Sequence, residues 1–150
     1  MDLMEVAVPT AVAVPGMSVL DLFRACIEAN VPGLPYRDAG GRIIGKASMR
    51  HILKETCIPE FMVRHARLLG DNLEPLRVPD EKALRMLAMT VDEFILPDMA
   101  VVTPASPVAK AIAVMESHDT TYLFLIDKDG SYHGTVSIMG LAKCILEQFG

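Results

Sequence analysis

The sequence has little of what several large classes of protein require. Its 150 residues contain no apolar run near the roughly 20 residues that a membrane-spanning helix needs. Lys and Arg number 14 against 19 Asp and Glu, and they are scattered, so no basic stripe indicates a nucleic-acid groove. The first five residues are acidic and lack the basic end of a signal peptide. We therefore expect a cytoplasmic protein that binds neither membrane nor nucleic acid.

Patterns typical of metal sites and catalytic sites are also missing from the sequence. The three cysteines form no CxxC pair, and the four histidines show no HxxxH or HExxH spacing. Cys26 and Cys144 fall in helical patterns and are expected to be small buried residues. No paired carboxylates, nucleophile beside a base or glycine-rich phosphate loop stands out. We expect no metal site and no enzymatic activity.

What the sequence does contain is an internal repeat. Gly45 and Gly134 lie 89 positions apart (134 − 45). When residues 11–55 are compared without gaps with the residues 89 positions later, ten of the 45 positions carry the same residue. Chance would give roughly three. The ten are Ala11, Val12, Pro15, Val19, Leu34, Asp38, Gly41, Gly45, Ser48 and Lys54. Such a repeat predicts two copies of one structural unit.

Each unit shows the pattern strand, helix, strand, strand, helix. The first unit has predicted strands at 11–14, 34–36 and 42–47, a helix at 18–29 capped by Ser18, and a second helix capped by Ser48. The second has predicted strands at 100–103, 122–126 and 131–136, a helix capped by Ser106, and a last helix over 137–148. A turn of Asp-x-x-Gly type joins the last two strands of each unit. The predicted fold is α/β (α+β), with two β-α-β-β-α repeats at 1–56 and 98–150.

The segment between the repeats, residues 57–97, is predicted to be a structured helical connector. It is punctuated by Gly70 and by prolines, Pro75 and Pro79 among them, but lacks the Gly/Ser composition of a flexible linker. Helical spacing covers 60–69, and also a stretch from Asp80, taken as an N-cap, to about 94.

The doubled pattern resembles a tandem pair of CBS domains, often called a Bateman module. The second repeat carries the clearer match, at 101–108, at 122–130 and in the Gly-x-x-Ser of 134–137. The resemblance covers nearly the whole chain. It implies a regulatory module whose repeats pack through their sheets about a pseudo-twofold axis. It also implies homodimers formed through helices, and clefts for adenosine-containing ligands such as AMP, ADP, ATP or S-adenosylmethionine.

Helix-end chemistry supports such clefts. Ser48 and Ser137 each stand where a strand ends and a helix begins, a position suited to phosphate. Strand residues beside them, Leu34 with Tyr36 and Leu123 with Leu125, are expected to form a wall for a purine. The complete set of predicted ligand-binding residues is Ser48, Arg50, His51, Leu34, Tyr36, Tyr122, Leu123 and Ser137.

The chain departs from the family at the predicted ribose site. Ligand-binding members carry Ser or Thr, two variable residues and then Asp, whereas here the fourth residue is His51 or Gly140. Arg50 stands where members often place a phosphate-binding residue, but its counterpart Met139 is inert. We therefore expect nucleotide to bind the first cleft more tightly. Two hypotheses remain: a ligand sensor that regulates another protein chain, and a ligand-free dimerisation or protein-interaction module with degenerate sites.

Overall fold

The computed structural model, which describes residues 1–71 and 80–150, shows an α/β fold with the predicted repeat. The first half contains α1 (Leu3–Val6), α2 (Val19–Ala29), β1 (Gly33–Arg37), β2 (Ile43–Ser48) and α3 (Met49–Cys57). The connector contains α4 (Glu60–Arg64), a 3₁₀ turn (Ala66–Leu68), α5 (Asp80–Ala88) and a second 3₁₀ turn (Val91–Phe94). The second half contains β3 (Val101–Val102), α6 (Val108–Ser117), β4 (Tyr122–Ile126), β5 (Tyr132–Ser137) and α7 (Ile138–Phe149).

The two halves share their strand register as well as their element order. β1 pairs antiparallel with β2, and β4 pairs antiparallel with β5. Each ladder has a bulge at the same place, after Tyr36 in one half and after Leu125 in the other (125 − 36 = 89). Helices α3 and α7 begin directly after Ser48 and Ser137, whose hydroxyls cap them. The gap-free repeat in the sequence is therefore a repeat of backbone geometry.

The halves differ at their first strand, because of one proline. Phe124 in β4 donates its N–H to the carbonyl of Ala100 at 3.1 Å, which extends the ladder to β3. Its counterpart in β1 is Pro35, which has no N–H to donate. The predicted strand at 11–14 is therefore reduced to a single bridge between Ala13 and Tyr36.

Two predicted helix caps are wrong, and the predicted connector helices are interrupted. Pro107, not Ser106, is the N-cap of α6, since the Ser106 hydroxyl instead accepts from the N–H of Thr103 at 3.2 Å. Asp80 is the first residue of α5 rather than its cap. The helix predicted to reach 94 ends at Ala88, and the one predicted over 60–69 ends at Arg64; each is followed by a 3₁₀ turn. Pro75 and Pro79 lie outside the described residues.

The hydrophobic cores are built crosswise. Leu3 and Val6 of α1 are buried in the core of the second half, where α1 contacts β5 and α7. Met86, Val91 and Phe94, from the far side of the connector, are buried in the core of the first half. Each core therefore includes residues from more than one of the segments 1–56, 57–97 and 98–150. The domain boundaries at these positions stay a prediction. Each half depends on a segment from across that division.

The repeated glycines make this crosswise packing possible. The N–H and carbonyl of Lys46 bond to the carbonyl and N–H of Leu96 at 2.8 and 3.0 Å, and Thr135 bonds to Val8 in the same way. A Cβ at Gly45 would lie 2.4 Å from the Leu96 carbonyl oxygen. Gly134, with φ of 141°, would place a Cβ 3.1 Å from Val8. A side chain at either glycine would push the crossing segment away from the strand.

We predict that Gly45→Ala lowers the free energy of unfolding by about 2 kcal/mol or more, because the contact is with backbone that cannot rotate aside. Urea denaturation followed by circular dichroism measures the loss. Gly70→Ala is the matched control, since a Cβ there meets nothing within 4 Å. Equal stabilities of the two variants would contradict this account of Gly45.

Among the described residues, no helix is both long enough and apolar enough to span a membrane.

Candidate functional site

Two cavities lie between the halves, and each is lined by residues from both. The larger, of about 550 Å³, is lined on one side by Lys46, Ser48, Arg50 and His51 and on the other by Glu116 and the stretch from His118 to Tyr122. We call it the charged cavity. The other has a volume of about 470 Å³, and its lining residues are Cys26, Ile27, Asn30, Val31, Pro32, Met49, Thr121, Ser137, Ile138 and Met139. We call it the neutral cavity.

The cavities are related by the repeat. Ser48 in the charged cavity corresponds to Ser137 in the neutral one (137 − 48 = 89), and Met115 corresponds to Cys26 (115 − 26 = 89). Pro32, Thr121 and Ile138 line both. The two cavities are therefore two copies of one site, formed where the halves meet.

The first-half wall of the charged cavity is cationic. Lys46, Arg50, His51 and Lys54 all line it. Lys54 is drawn toward Glu55 and Glu60, at 3.7 and 3.8 Å. Among residues 1–71 and 80–150, no carboxylate forms a salt bridge with Lys46 or Arg50. These two side chains are the cations that the cavity can offer to an anion.

Lys46 lies where a positive charge is unfavourable. Burial lowers the pKa of its ammonium, Asp98 raises it, and Arg50 lowers it again. The ammonium stands 5.6 Å from the centre of the Tyr122 ring, within the range of a cation–π contact. A bound anion would offset both the desolvation and the repulsion from Arg50.

The second-half wall of the charged cavity carries carboxylates. Glu116 and Asp119 line it at the end of α6 and in the loop that follows, where Asp119 adopts a left-handed backbone with φ of 50°. His118, between them, has Nε2 3.8 Å from Asp98 and Nδ1 3.0 Å from the Val114 carbonyl. The cavity therefore has a basic wall and an acidic wall.

Ser48 and Ser137 are both helix caps. The Ser137 hydroxyl accepts from the N–H of Gly140 at 3.0 Å, and the Ser48 hydroxyl accepts from the N–H of His51 at 3.4 Å. The first N–H of each helix is also taken, because Met49 donates to Pro32 and Ile138 donates to Thr121. Each helix end thus offers fewer N–H groups than the sequence suggested, and the looser cap at Ser48 is the easier of the two to displace.

Four of the strand residues predicted to hold a purine line neither cavity. Leu34 and Tyr36 are buried in the first core, and Leu123 and Leu125 in the second. Side chains alternate along a strand, so these residues face the helices of their own half while Tyr122 faces the other half. The Tyr36 hydroxyl is engaged as well, since it donates to Asp92 at 2.8 Å. The purine wall expected there is not available in this arrangement.

Tyr122 does line the charged cavity, and its hydroxyl is unusual. It is buried, lies beside Ser48, and forms no hydrogen bond of ordinary geometry within the part of the chain that the structure describes. Burial raises its pKa to about 12. Gly33 permits this position, because a Cβ there would come 2.6 Å from the Tyr122 oxygen. Tyr122 therefore packs one half of the chain closely against the other.

The structure places some predicted residues together and adds others. Ser48, Arg50, His51 and Tyr122 share the charged cavity, while Ser137 lies in the neutral one. Sequence reasoning missed Lys46, Glu116 and Asp119 as lining residues. The repeat offset held a signal for Asp119, since it pairs that residue with Asn30 at the same helix end (119 − 30 = 89). No group of three or more His, Cys, Asp or Glu in the described residues could hold a metal ion.

Comparison with known proteins agrees with this architecture. Residues 91–147 match the family model of the CBS domain. A search of curated proteins found no match. Among solved structures, a CBS domain-containing protein from Bacillus anthracis str. Ames Ancestor has 16% identity and a TM-score of 0.66, with 99% of this chain and 94% of that chain covered. CBSX2 in complex with AMP has 19% identity and a TM-score of 0.64, with 98% and 97% covered.

A third structure, a CBS domain-containing protein from Kribbella flavida DSM 17836, has 16% identity and a TM-score of 0.64, with 97% of this chain and 99% of that chain covered. At these identities the likeness concerns the fold. Residues 91–147 are a CBS domain, and the chain as a whole has the fold of a tandem CBS pair.

Two tyrosines test the packing between and within the halves. The Tyr132 hydroxyl bonds to Thr10 at 2.6 Å and to Thr135 at 2.7 Å. We predict that Tyr132→Phe lowers the free energy of unfolding by about 1 kcal/mol. Tyr122→Phe should leave it unchanged or slightly raised, because the buried Tyr122 hydroxyl has no hydrogen bond of ordinary geometry among the described residues. Urea denaturation of both variants measures this. A greater loss in Tyr122→Phe would show that its hydroxyl is hydrogen-bonded.

Proposed function

We propose that the protein is a regulatory CBS pair that binds an adenosine-containing ligand in the charged cavity and thereby controls another protein. The proposal rests chiefly on the opposition of a basic wall at Lys46 and Arg50 to an acidic wall at Glu116 and Asp119. A nucleotide has the matching polarity, with anionic phosphate at one end and hydroxyl donors on its ribose. That the related fold of CBSX2 was crystallised with AMP gives further support.

The basic wall suits phosphate. Arg50 can donate two parallel hydrogen bonds to phosphate oxygens, and Lys46 adds a second cation, whose charged form burial disfavours. The Ser48 hydroxyl accepts its cap bond from the N–H of His51, so its own O–H can donate to phosphate as well. Phosphate at this wall would raise the pKa of Lys46 again, because a nearby anion favours the charged ammonium.

The acidic wall supplies what the family's missing aspartate would otherwise provide. Carboxylates of Glu116 or Asp119 can accept hydrogen bonds from the ribose hydroxyls, and they come from the half opposite Ser48. A base would lie against the apolar lining, which includes Ile112, Met115 and Ile138. The same acidic wall would favour the sulfonium and ammonium of S-adenosylmethionine, which is therefore a second ligand to test.

We predict that Arg50→Ala weakens AMP or ATP binding about tenfold or more, since a charge-assisted contact is worth roughly 1.5–3 kcal/mol. Met139→Ala is the matched control, because it changes the equivalent residue of the neutral cavity. Isothermal titration calorimetry against AMP, ADP, ATP and S-adenosylmethionine measures each affinity. Equal affinity for wild type and Arg50→Ala would contradict the proposal, as would no heat from wild type with any of the four.

Asp119→Asn tests the acidic wall separately. It converts the residue to the one found at the equivalent position of the neutral cavity, Asn30, and so preserves size while it removes the negative charge and one of the two acceptor oxygens. We expect weaker binding of adenosine compounds, and we expect His51→Asp, which restores the family carboxylate beside Ser48, to strengthen it. Unchanged calorimetric affinity in both variants would show that a carboxylate at these positions does not contribute to binding.

The alternative is a ligand-free module for dimerisation or protein interaction. It is favoured by the exposed apolar side chains of α7, which include Ile145, Leu146 and Phe149. Leaving such a face in water is unfavourable at about 25 cal/mol per Å². A homodimer through α7 is compatible with either function, so dimerisation alone does not decide between them.

We predict that light scattering at tens of micromolar gives twice the 16.3 kDa mass of one chain. Leu146→Glu should shift the protein toward monomer, because it places a charge in the apolar face. Leu68→Glu, the same substitution at an exposed leucine in the connector, should leave the mass unchanged. A monomeric wild type would count against a dimer formed through α7.

A further inference from the structure

The neutral cavity differs in kind from its repeat partner. Three charged residues of the charged cavity have a counterpart in the lining of the neutral cavity, and each of these counterparts is uncharged. The pairs are Arg50 with Met139, Glu116 with Ile27 and Asp119 with Asn30, each separated by the same offset (139 − 50 = 116 − 27 = 119 − 30 = 89). No charged side chain is among the described residues that line the neutral cavity. The two cavities therefore have similar volumes and different chemistry.

The floor of the neutral cavity is apolar and uncharged. It includes Cys26 and Val31, both buried, and Pro32. Burial raises the pKa of the Cys26 thiol to about 12, so the thiol stays protonated at neutral pH. The polar groups at the wall are the neutral side chains of Asn30, Thr121 and Ser137, of which the Ser137 hydroxyl already accepts from Gly140.

Large apolar side chains stand at the mouth of the cavity, one from each half. Ile27 is 72% exposed and Met139 is 69% exposed. Both are more exposed than apolar residues that only complete a core, and both border a concave space of about 470 Å³. That volume falls within the range of small-molecule pockets, about 300–1,000 Å³. A ligand in the cavity would remove both side chains from water.

We propose that the neutral cavity is a second ligand site, which binds an uncharged and mostly apolar small molecule with one or two hydrogen-bonding groups. A phosphate there would be desolvated without a cation to compensate, which excludes a nucleotide as the preferred occupant. The walls come from both halves of one chain, so the pocket exists without a second copy. The two cavities share Pro32, Thr121 and Ile138, but the charged side chains on which the nucleotide proposal rests line only the charged cavity, so the two proposals can be tested separately.

A matched pair of fluorescent probes tests this proposal. Phenylnaphthylamine is uncharged and brightens when it leaves water, and anilinonaphthalene sulfonate has the same aromatic body with an added negative charge. We expect saturable binding of phenylnaphthylamine at one molecule per chain, and binding at least tenfold weaker for the sulfonate. Saturating AMP should not displace the uncharged probe, and Arg50→Ala should not affect it.

Substitutions at the mouth of the neutral cavity test whether phenylnaphthylamine binds there. Met139→Asp and Ile27→Asp place a carboxylate at the mouth and should each weaken phenylnaphthylamine binding at least tenfold. Leu84→Asp is the matched control, because Leu84 is also 69% exposed but lies on α5, outside the cavity lining. Leu146→Glu controls for a site between copies and should keep full binding. Thermal melts confirm that each variant is folded.

The proposal is overturned by any of four results. These are the absence of saturable binding, equal affinity for the two probes, equal losses in Met139→Asp and Leu84→Asp, or loss of the probe in Leu146→Glu. If AMP binding fails while the uncharged probe behaves as expected, the nucleotide proposal falls and the second site stands.

Discussion

The close approach of two crossing segments to the strands is the constraint on which the rest of the structure depends. Leu96 pairs with Lys46 through two backbone hydrogen bonds, and Val8 pairs with Thr135 in the same way. Both contacts require a glycine on the neighbouring strand position. They carry α1 into the second core and the end of the connector into the first. Lys46 and Leu96 also both line the charged cavity, so the contact that joins the halves also positions a wall of the site.

Repetition and divergence together explain the two cavities. The backbone is duplicated closely enough that the bulges, caps and helix starts coincide. Side chains that point between the halves are under no such constraint, because they do not fill either core. At these positions the charged cavity has a basic wall and an acidic wall, whereas the neutral cavity is lined by uncharged, mostly apolar residues. A single fold can in this way present two chemically different pockets without any change in its packing.

The sequence predicted the fold well because the repeat is gap-free where it forms strands and caps. It predicted the site less well, for identifiable reasons. Leu34 and Leu123 looked like cavity walls, but strand alternation turns them into the cores. The predicted strand at 11–14 is reduced to a single bridge because Pro35 has no N–H to donate to it. The sequence did not reveal that α1 and the end of the connector each pack into the core of the other half. Leu3 and Val6 correspond to Val91 and Phe94 at an offset of 88 rather than 89 (91 − 3, 94 − 6), and the paired residues are not identical. Asp119 could have been found from its pairing with Asn30.

The central claim is that the two cavities discriminate ligands by charge, with phosphate held by the first. A crystal structure of the protein grown with AMP tests this most directly. We expect nucleotide in the charged cavity, with its phosphate within hydrogen-bonding distance of Arg50 or Lys46 and its ribose toward Glu116 and Asp119, and none in the neutral cavity. Nucleotide bound in the neutral cavity, or bound in the charged cavity with its phosphate turned toward the acidic wall, would contradict it.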